Sequence, residues 1–468
     1  MSVEVAVFVA YFSVVLVIGV WALRRSESEA EYWIAGGNLG WLTGGATLAA
    51  THASAGTFIG TIGVMHSTGW AFGWLVLSIP IAYWFLAAVL APRFVAVPEL
   101  TLPGFLERRY SSQGVRSVAA VIILIATVVY VQAQIVAGGL IAEVIFGIPS
   151  RTGMVGFALF LVLYTMVGGM LAVVYTDLLQ LTVMFFGALL AVPIALRHVG
   201  GVGELFEKVQ IAKPEVFSWT SMPPTLLLTM GLAFTLGSIS TPEKLIRLYT
   251  MKDLRTLRRG VLFALILATV MNFFVMTLAL VSIVELPDLP SGDLAMPMLA
   301  KTLLPPVLGA LLLAAIVAAM MSTVDSLLLV AGSALSRDLY ANLLRKEAGE
   351  RERQWVNRLG VTVVGLAPVA LVLSGVGEGE LVQFIVLLFT ALMASSFFAP
   401  VVLGVFWRRA NAPGAIAAML GGCAATFLWK AFGTPTLDPV LPGCAVSLVL
   451  FVAVSLATAD DANSSESA

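Results

Sequence analysis

WLTGGATLAATHASAGTFIGTIGVM, residues Trp41 to Met65, is long and apolar enough to cross a bilayer, yet its centre is the small and polar run AATHASAGTF from Ala49 to Phe58. Such a run can unwind. Unwound backbone at membrane depth is tolerated only where it lines a cavity, and there its free carbonyls can coordinate Na⁺ while half-helix ends face a solute. A second apolar stretch, Thr225 to Ile246, is weakened at a comparable place by Gly231, Gly237, Ser238, Ser240 and Pro242, five spans later. Two weakened helices at corresponding positions of two five-span halves point to an inverted-repeat transporter. Self-similarity between the halves is not visible in the residues, so the repeat is inferred from placement.

The rest of the chain fits that frame. It has 468 residues, 59% of them hydrophobic and 11% charged, with a mean hydropathy of +0.98, which describes an all-α polytopic membrane protein. The net charge of −1 and the lack of a basic patch exclude nucleic acid as a partner. Cys423 and Cys444 lie in late apolar segments without metal-ligand spacing and read as packing residues. Apolar runs bounded by charges or Gly/Pro clusters give thirteen transmembrane helices, near 4–23, 41–65, 71–95, 116–146, 153–172, 173–197, 224–246, 259–284, 302–336, 356–374, 381–406, 411–432 and 440–458. The first is long enough to span and has no small-residue cleavage site after it, so it reads as a retained helix. The polar segment 459–468 reads as a disordered cytoplasmic tail.

Orientation follows from Lys and Arg in the connections. With the N-terminus outside, 20 of the 26 basic residues, Lys244 and Arg247 among them, fall on one side and 6 on the other. The basic side is cytoplasmic, and an odd number of spans leaves the C-terminus there as well.

A third stretch carries chemistry. LLLAAIVAAMMSTVDSLLLVAGSAL, Leu311 to Leu335, holds Ser322, Thr323, Asp325 and Ser326 near its middle. Ala319, Ser322 and Thr323 stand at i, i+3 and i+4, so two hydroxyls and a carbonyl can share one face. Oxygen ligands of that kind suit a hard cation. Hydroxyls at membrane depth also bond back to their own helix, but Asp325 asks for more. An ionised acid there costs about 2.5–3.5 kcal/mol on insertion scales and needs a cation, a proton or a water-filled cavity as compensation.

Several segments together resemble the sodium:solute symporter family from about Val3 to Leu456. They are EYWIAGGNLGW (31–41), ATHASAGTFIG (50–60), YTMVGGMLAVVYTDLLQ (164–180), AAIVAAMMSTVDSLLL (314–329) with SRDLY (336–340), and PVVLGVFWRRANAPGAIAAMLGG (400–422). The resemblance implies a leucine-transporter-type 5+5 inverted-repeat core. Here that means one extra helix (4–23), a first repeat over 41–197, a second over 224–406, and two further helices over 411–458. It implies Na⁺ as coupling ion, with no organic cofactor, and a small organic solute taken up by alternating access across the plasma membrane.

Carried over by position, the sodium site of the family would use the carbonyls of Ala50, Ala53 and Ala319 and the hydroxyls of Ser322 and Thr323. Asp177, in TDLLQ, matches an acid that supports sodium binding or a second sodium site, and Asp325 and Ser326 fall where such a site takes ligands. Within the family the chain is most similar to the pantothenate subgroup, through the spacing of the broken helix, Leu304–Pro306, Gln134 and the WRRANAPGA loop. The proline members have an aromatic pair ahead of a shared proline, which falls here on Phe234 and Ser238 before Pro242. Their acid in the broken helix is replaced by His52. A histidine in an unwound segment can hydrogen-bond a carboxylate, so the expected solute is a carboxylate such as pantothenate. Other monocarboxylates, proline or other amino acids, and sugars are the alternatives. Ser54, Thr57, Gln134, Phe234 and Ser238 join His52 as candidate solute contacts.

Other classes fare worse. A sensor would need a signalling domain, and only about ten polar residues follow the last span. A channel has no need of paired broken helices around a closed site. An enzyme would need a nucleophile–base pair or a metal-ligand cluster, and neither is evident. Proton coupling through Asp177, Asp325 or His52 is a variant of the symporter reading.

Overall fold

The computed structural model describes residues 3–23, 34–97, 99–166, 169–377 and 379–459. The start of the EYWIAGGNLGW segment, Arg24, Arg25 and nearly all of the expected tail lie outside the described residues. Among those described, helices account for every long element, and the one bridge between extended residues joins Leu39 to Met251. Ten helices among the described residues are long and apolar enough to cross a membrane, or twelve with each of two bent pairs counted as one span. Ser150–Thr165 is a shorter apolar helix of 16 residues.

Both weakened stretches are bent. Trp41–His52 and Gly56–Thr68 meet at 52°, and Pro224–Ser240 and Pro242–Thr250 at 40°. The first break falls where Ala53 leaves the helical region, with φ −73° and ψ 125°. The second falls at Thr241, φ −74° and ψ 130°, directly before Pro242, because proline disfavours helical geometry in the residue ahead of it.

Three boundaries differ from the sequence reading. The span expected to end at 246 runs to Thr250, which carries Lys244 and Arg247 into the protein interior at 7% and 0% exposure. They are therefore not loop residues, although the asymmetry of the basic residues survives their removal. The junction expected at 172 and 173 lies earlier, since one helix ends at Thr165 and the next begins at Met170 after the extended Gly169. The helix expected from 302 starts at Pro306, with the proline in the first turn where its missing N–H costs nothing, and continues to Leu344.

Pro306–Ser333 forms the centre of the bundle. It packs against Val3–Leu23, Trp41–His52, Gln113–Phe146 and Met170–His198, and every residue from Leu312 to Ser333 is buried. The outermost helices show the reverse pattern, with Val9, Val17, Leu428 and Val449 exposed as the bilayer requires. Close approach depends on missing side chains. A Cβ on Gly45 would sit 2.4 Å from the Gly260 carbonyl oxygen, and one on Gly237 would sit 2.6 Å from that of Thr390. Small residues of this kind let helix backbones touch in a membrane.

Candidate ion and solute site

Unwinding frees the last carbonyls of Trp41–His52, because no N–H follows at the helical distance to take them. The central helix supplies partners. Ser322 Oγ donates to the Ala50 carbonyl at 3.0 Å and Thr323 Oγ1 to the Ala53 carbonyl at 3.0 Å. Both hydroxyls also reach the Ala319 carbonyl at 3.1 Å. Five oxygens thus converge from two helices, all on residues with no solvent exposure. Hydroxyls that turn their lone pairs inward would complete an oxygen cage for a hard cation. All five residues expected at the sodium site are in this cluster.

The break itself is held by side chains. Gln134 Oε1 accepts from Ala55 N at 2.9 Å, and Ser54 Oγ accepts from Gly56 N at 3.0 Å. Gln134 therefore grips the unwound backbone. It is not on the wall of the adjoining cavity, whereas the other five expected solute residues, His52, Ser54, Thr57, Phe234 and Ser238, are. The cavity lies between the two broken helices. Tyr130 stacks on Phe389 at its edge, with ring centroids 4.4 Å apart. The His52 ring meets Tyr83 edge-on, and its Nδ1 is buried with no hydrogen-bond partner among the described residues.

The three residues expected at a second ion or coupling site separate into two places. Asp177 Oδ2 accepts from Arg247 Nη2 at 3.0 Å and from the Thr47 hydroxyl. Arg247 also donates to Ser326 Oγ at 2.6 Å, to Thr47 Oγ1 at 3.1 Å and to the Glu243 carbonyl at 2.9 Å. This buried ion pair ties both broken helices to Met170–His198 and the central helix. Asp325 faces elsewhere, since one residue along a helix turns the side chain by about 100°. Its Oδ1 accepts from Thr165 Oγ1 at 2.8 Å, and its buried Oδ2 has no hydrogen-bond partner among the described residues, beside a small cavity that Tyr164 and Gly19 help to line.

Glu243, Lys244 and Arg247 were missed as site residues. Lys244 Nζ donates to Ser238 Oγ at 3.1 Å, and both Glu243 and Lys244 are on the cavity wall. The signal was present in TPEKLIR (241–247), three charges directly after a helix-breaking proline. Charges at a break in a span point to a site as readily as to a loop.

A bundle with two broken helices and an oxygen cluster at the first break is the architecture of a secondary transporter. The profile of the sodium:solute symporter family matches residues 32–422, and the chain belongs to that family. It is a transporter, not an enzyme. It is 30% identical to the osmoregulated proline transporter OpuE of Bacillus subtilis (strain 168), over 99% of this chain and 97% of that protein. It is 28% identical to the sodium/pantothenate symporter of Escherichia coli (strain K12), over 95% and 94%. Relatives of both kinds thus stand at similar distance. Among solved structures it is similar to a Na⁺-coupled sialic acid symporter in a substrate-bound outward-open state, with a TM-score of 0.84, 21% identity and 98% of each chain covered.

Proposed function

We propose that this protein is a sodium-driven importer of a small organic carboxylate. One Na⁺ binds to the carbonyls of Ala50, Ala53 and Ala319 and the hydroxyls of Ser322 and Thr323, and the solute binds next to it in the cavity of His52, Ser54, Thr57, Phe234 and Ser238. The observation that carries this reading is the convergence of five buried oxygens on the first break, directly beside a cavity bearing Lys244. The ion tightens the unwound segment that forms the cavity wall, so ion and solute favour the same arrangement of the two broken helices and each strengthens binding of the other.

Alternating access then proceeds between two inverted repeats, 41–197 and 224–406, with 4–23 and 411–458 packed outside them. Counting Ser150–Thr165 as a span gives thirteen, with the N-terminus outside and the C-terminus cytoplasmic in the plasma membrane. Asp177 supports the ion site through Arg247 and Ser326. Asp325, with its free Oδ2, favours a second reading in which a proton takes part in coupling.

Reconstituted protein tests both. Uptake of carboxylates, pantothenate and proline among them, should follow an inward Na⁺ gradient and stall when K⁺ replaces Na⁺. Uptake driven equally well by a proton gradient without Na⁺ would transfer the coupling role to Asp325.

A further inference from the structure

Glu243 and Lys244 stand side by side after Pro242, buried at 2% and 7% exposure, and both help to wall the solute cavity. No ion pair joins them to each other or to another described residue. Lys244 has only the hydroxyl of Ser238, at 3.1 Å. Glu243 Oε2 has no hydrogen-bond partner among the described residues. Arg247, the nearest guanidinium in sequence, takes the backbone carbonyl of Glu243 and spends its other donors on Thr47, Asp177 and Ser326. Two opposite charges therefore face one small cavity, each short of partners.

A buried charge without a partner is costly, and removing that cost is what a charged ligand can do best. No ion pair closes between the two heads, so each can still take an opposite charge from a ligand in the cavity. A solute with only a carboxylate would satisfy Lys244 and leave its own charge facing that of Glu243. A solute with only an amine would do the opposite. We propose that Glu243 and Lys244 make the cavity selective for a zwitterion, with Lys244, Ser238 and His52 at the carboxylate and Glu243 at the ammonium. The inference rests on the carboxylate reading above and narrows it.

The test is binding to the purified full-length protein with and without Na⁺, read by isothermal titration. The probes are a set of L-amino acids including L-proline, glycine betaine, cyclopentanecarboxylate, pyrrolidine, pantothenate and glucose. The best zwitterion should bind in a Na⁺-dependent manner about tenfold or more tighter than cyclopentanecarboxylate or pyrrolidine, the expected penalty for stranding a buried polar group. Glu243→Gln, which keeps shape and removes charge, should bring the zwitterion within about threefold of the plain carboxylate. Lys244→Gln should weaken both. Retention of Na⁺-dependent thermal stabilisation shows that each variant is folded. If pantothenate or cyclopentanecarboxylate bound as tightly as every zwitterion, or if Glu243→Gln left selectivity unchanged, the zwitterion assignment would fall and the carboxylate reading would stand. Binding of glucose alone would overturn both.

Discussion

Asp325 and Ser326 are neighbours in sequence, yet one faces a small cavity beside Tyr164 and the other accepts from Arg247 in the ion-pair network. Their variants should therefore behave differently. Asp325→Asn keeps the bond from Thr165 within reach and removes the charge, and it should weaken Na⁺ affinity or change the Hill coefficient of uptake. An unaltered Na⁺ titration with a shifted proton dependence would indicate proton coupling. At Arg247 the cost is structural. Arg247→Met strands the fully buried Asp177 and should lower stability by about 3–5 kcal/mol, the range for breaking one half of a buried pair. Adding Asp177→Asn should recover part of that loss in thermal unfolding, and no recovery would show that the pair is not the source. His52→Ala should raise the apparent KM for the solute by an amount equivalent to about 1–3 kcal/mol and leave Na⁺ binding without solute nearly unchanged, because Ala50 and Ala53 offer backbone carbonyls. Intact solute affinity with impaired Na⁺ binding would assign His52 to the support of the ion site.

At the scale of the element, the two broken helices decide what the bundle can do. Both breaks were legible in the sequence because small polar residues and a proline in an apolar span have few other uses. The stripe of Ala319, Ser322 and Thr323 was legible because helical periodicity puts them on one face. Gln134 was singled out, but its task was not legible. Whether an amide touches solute or holds backbone depends on which chain segment lies opposite, and no local pattern encodes that. Lys244 and Arg247 were misplaced for a different reason. Counting charges assigns them to a loop, whereas a carboxylate 70 residues from Arg247 and a hydroxyl six residues from Lys244 let them be buried. Gln134→Ala removes the acceptor of Ala55 N and should loosen the first break, reducing Na⁺ affinity and transport together. An effect on solute KM alone would instead make Gln134 a solute contact. Gly237→Val should also lower stability, since a Cβ there meets the Thr390 carbonyl oxygen at 2.6 Å. Unchanged thermal unfolding would mean that the two helices part more easily than their contact suggests.

Across the whole molecule, the central helix Pro306–Ser333 touches the first broken helix, while Arg247 of the second reaches both Asp177 and Ser326. A cation between Ala50, Ala53, Ala319, Ser322 and Thr323 would therefore act on the same helices that close around the solute. Burial is the physical basis of the coupling, because a bundle packed this closely shifts between discrete arrangements and does not flex continuously. The most direct measurement is the Na⁺ dependence of solute uptake by reconstituted Ser322→Ala/Thr323→Ala protein beside the unaltered chain. Saturable Na⁺ stimulation is expected in the latter and none in the double variant, which lacks two of five oxygen ligands for a cation that wants about six. An unchanged Na⁺ titration in the double variant would contradict it.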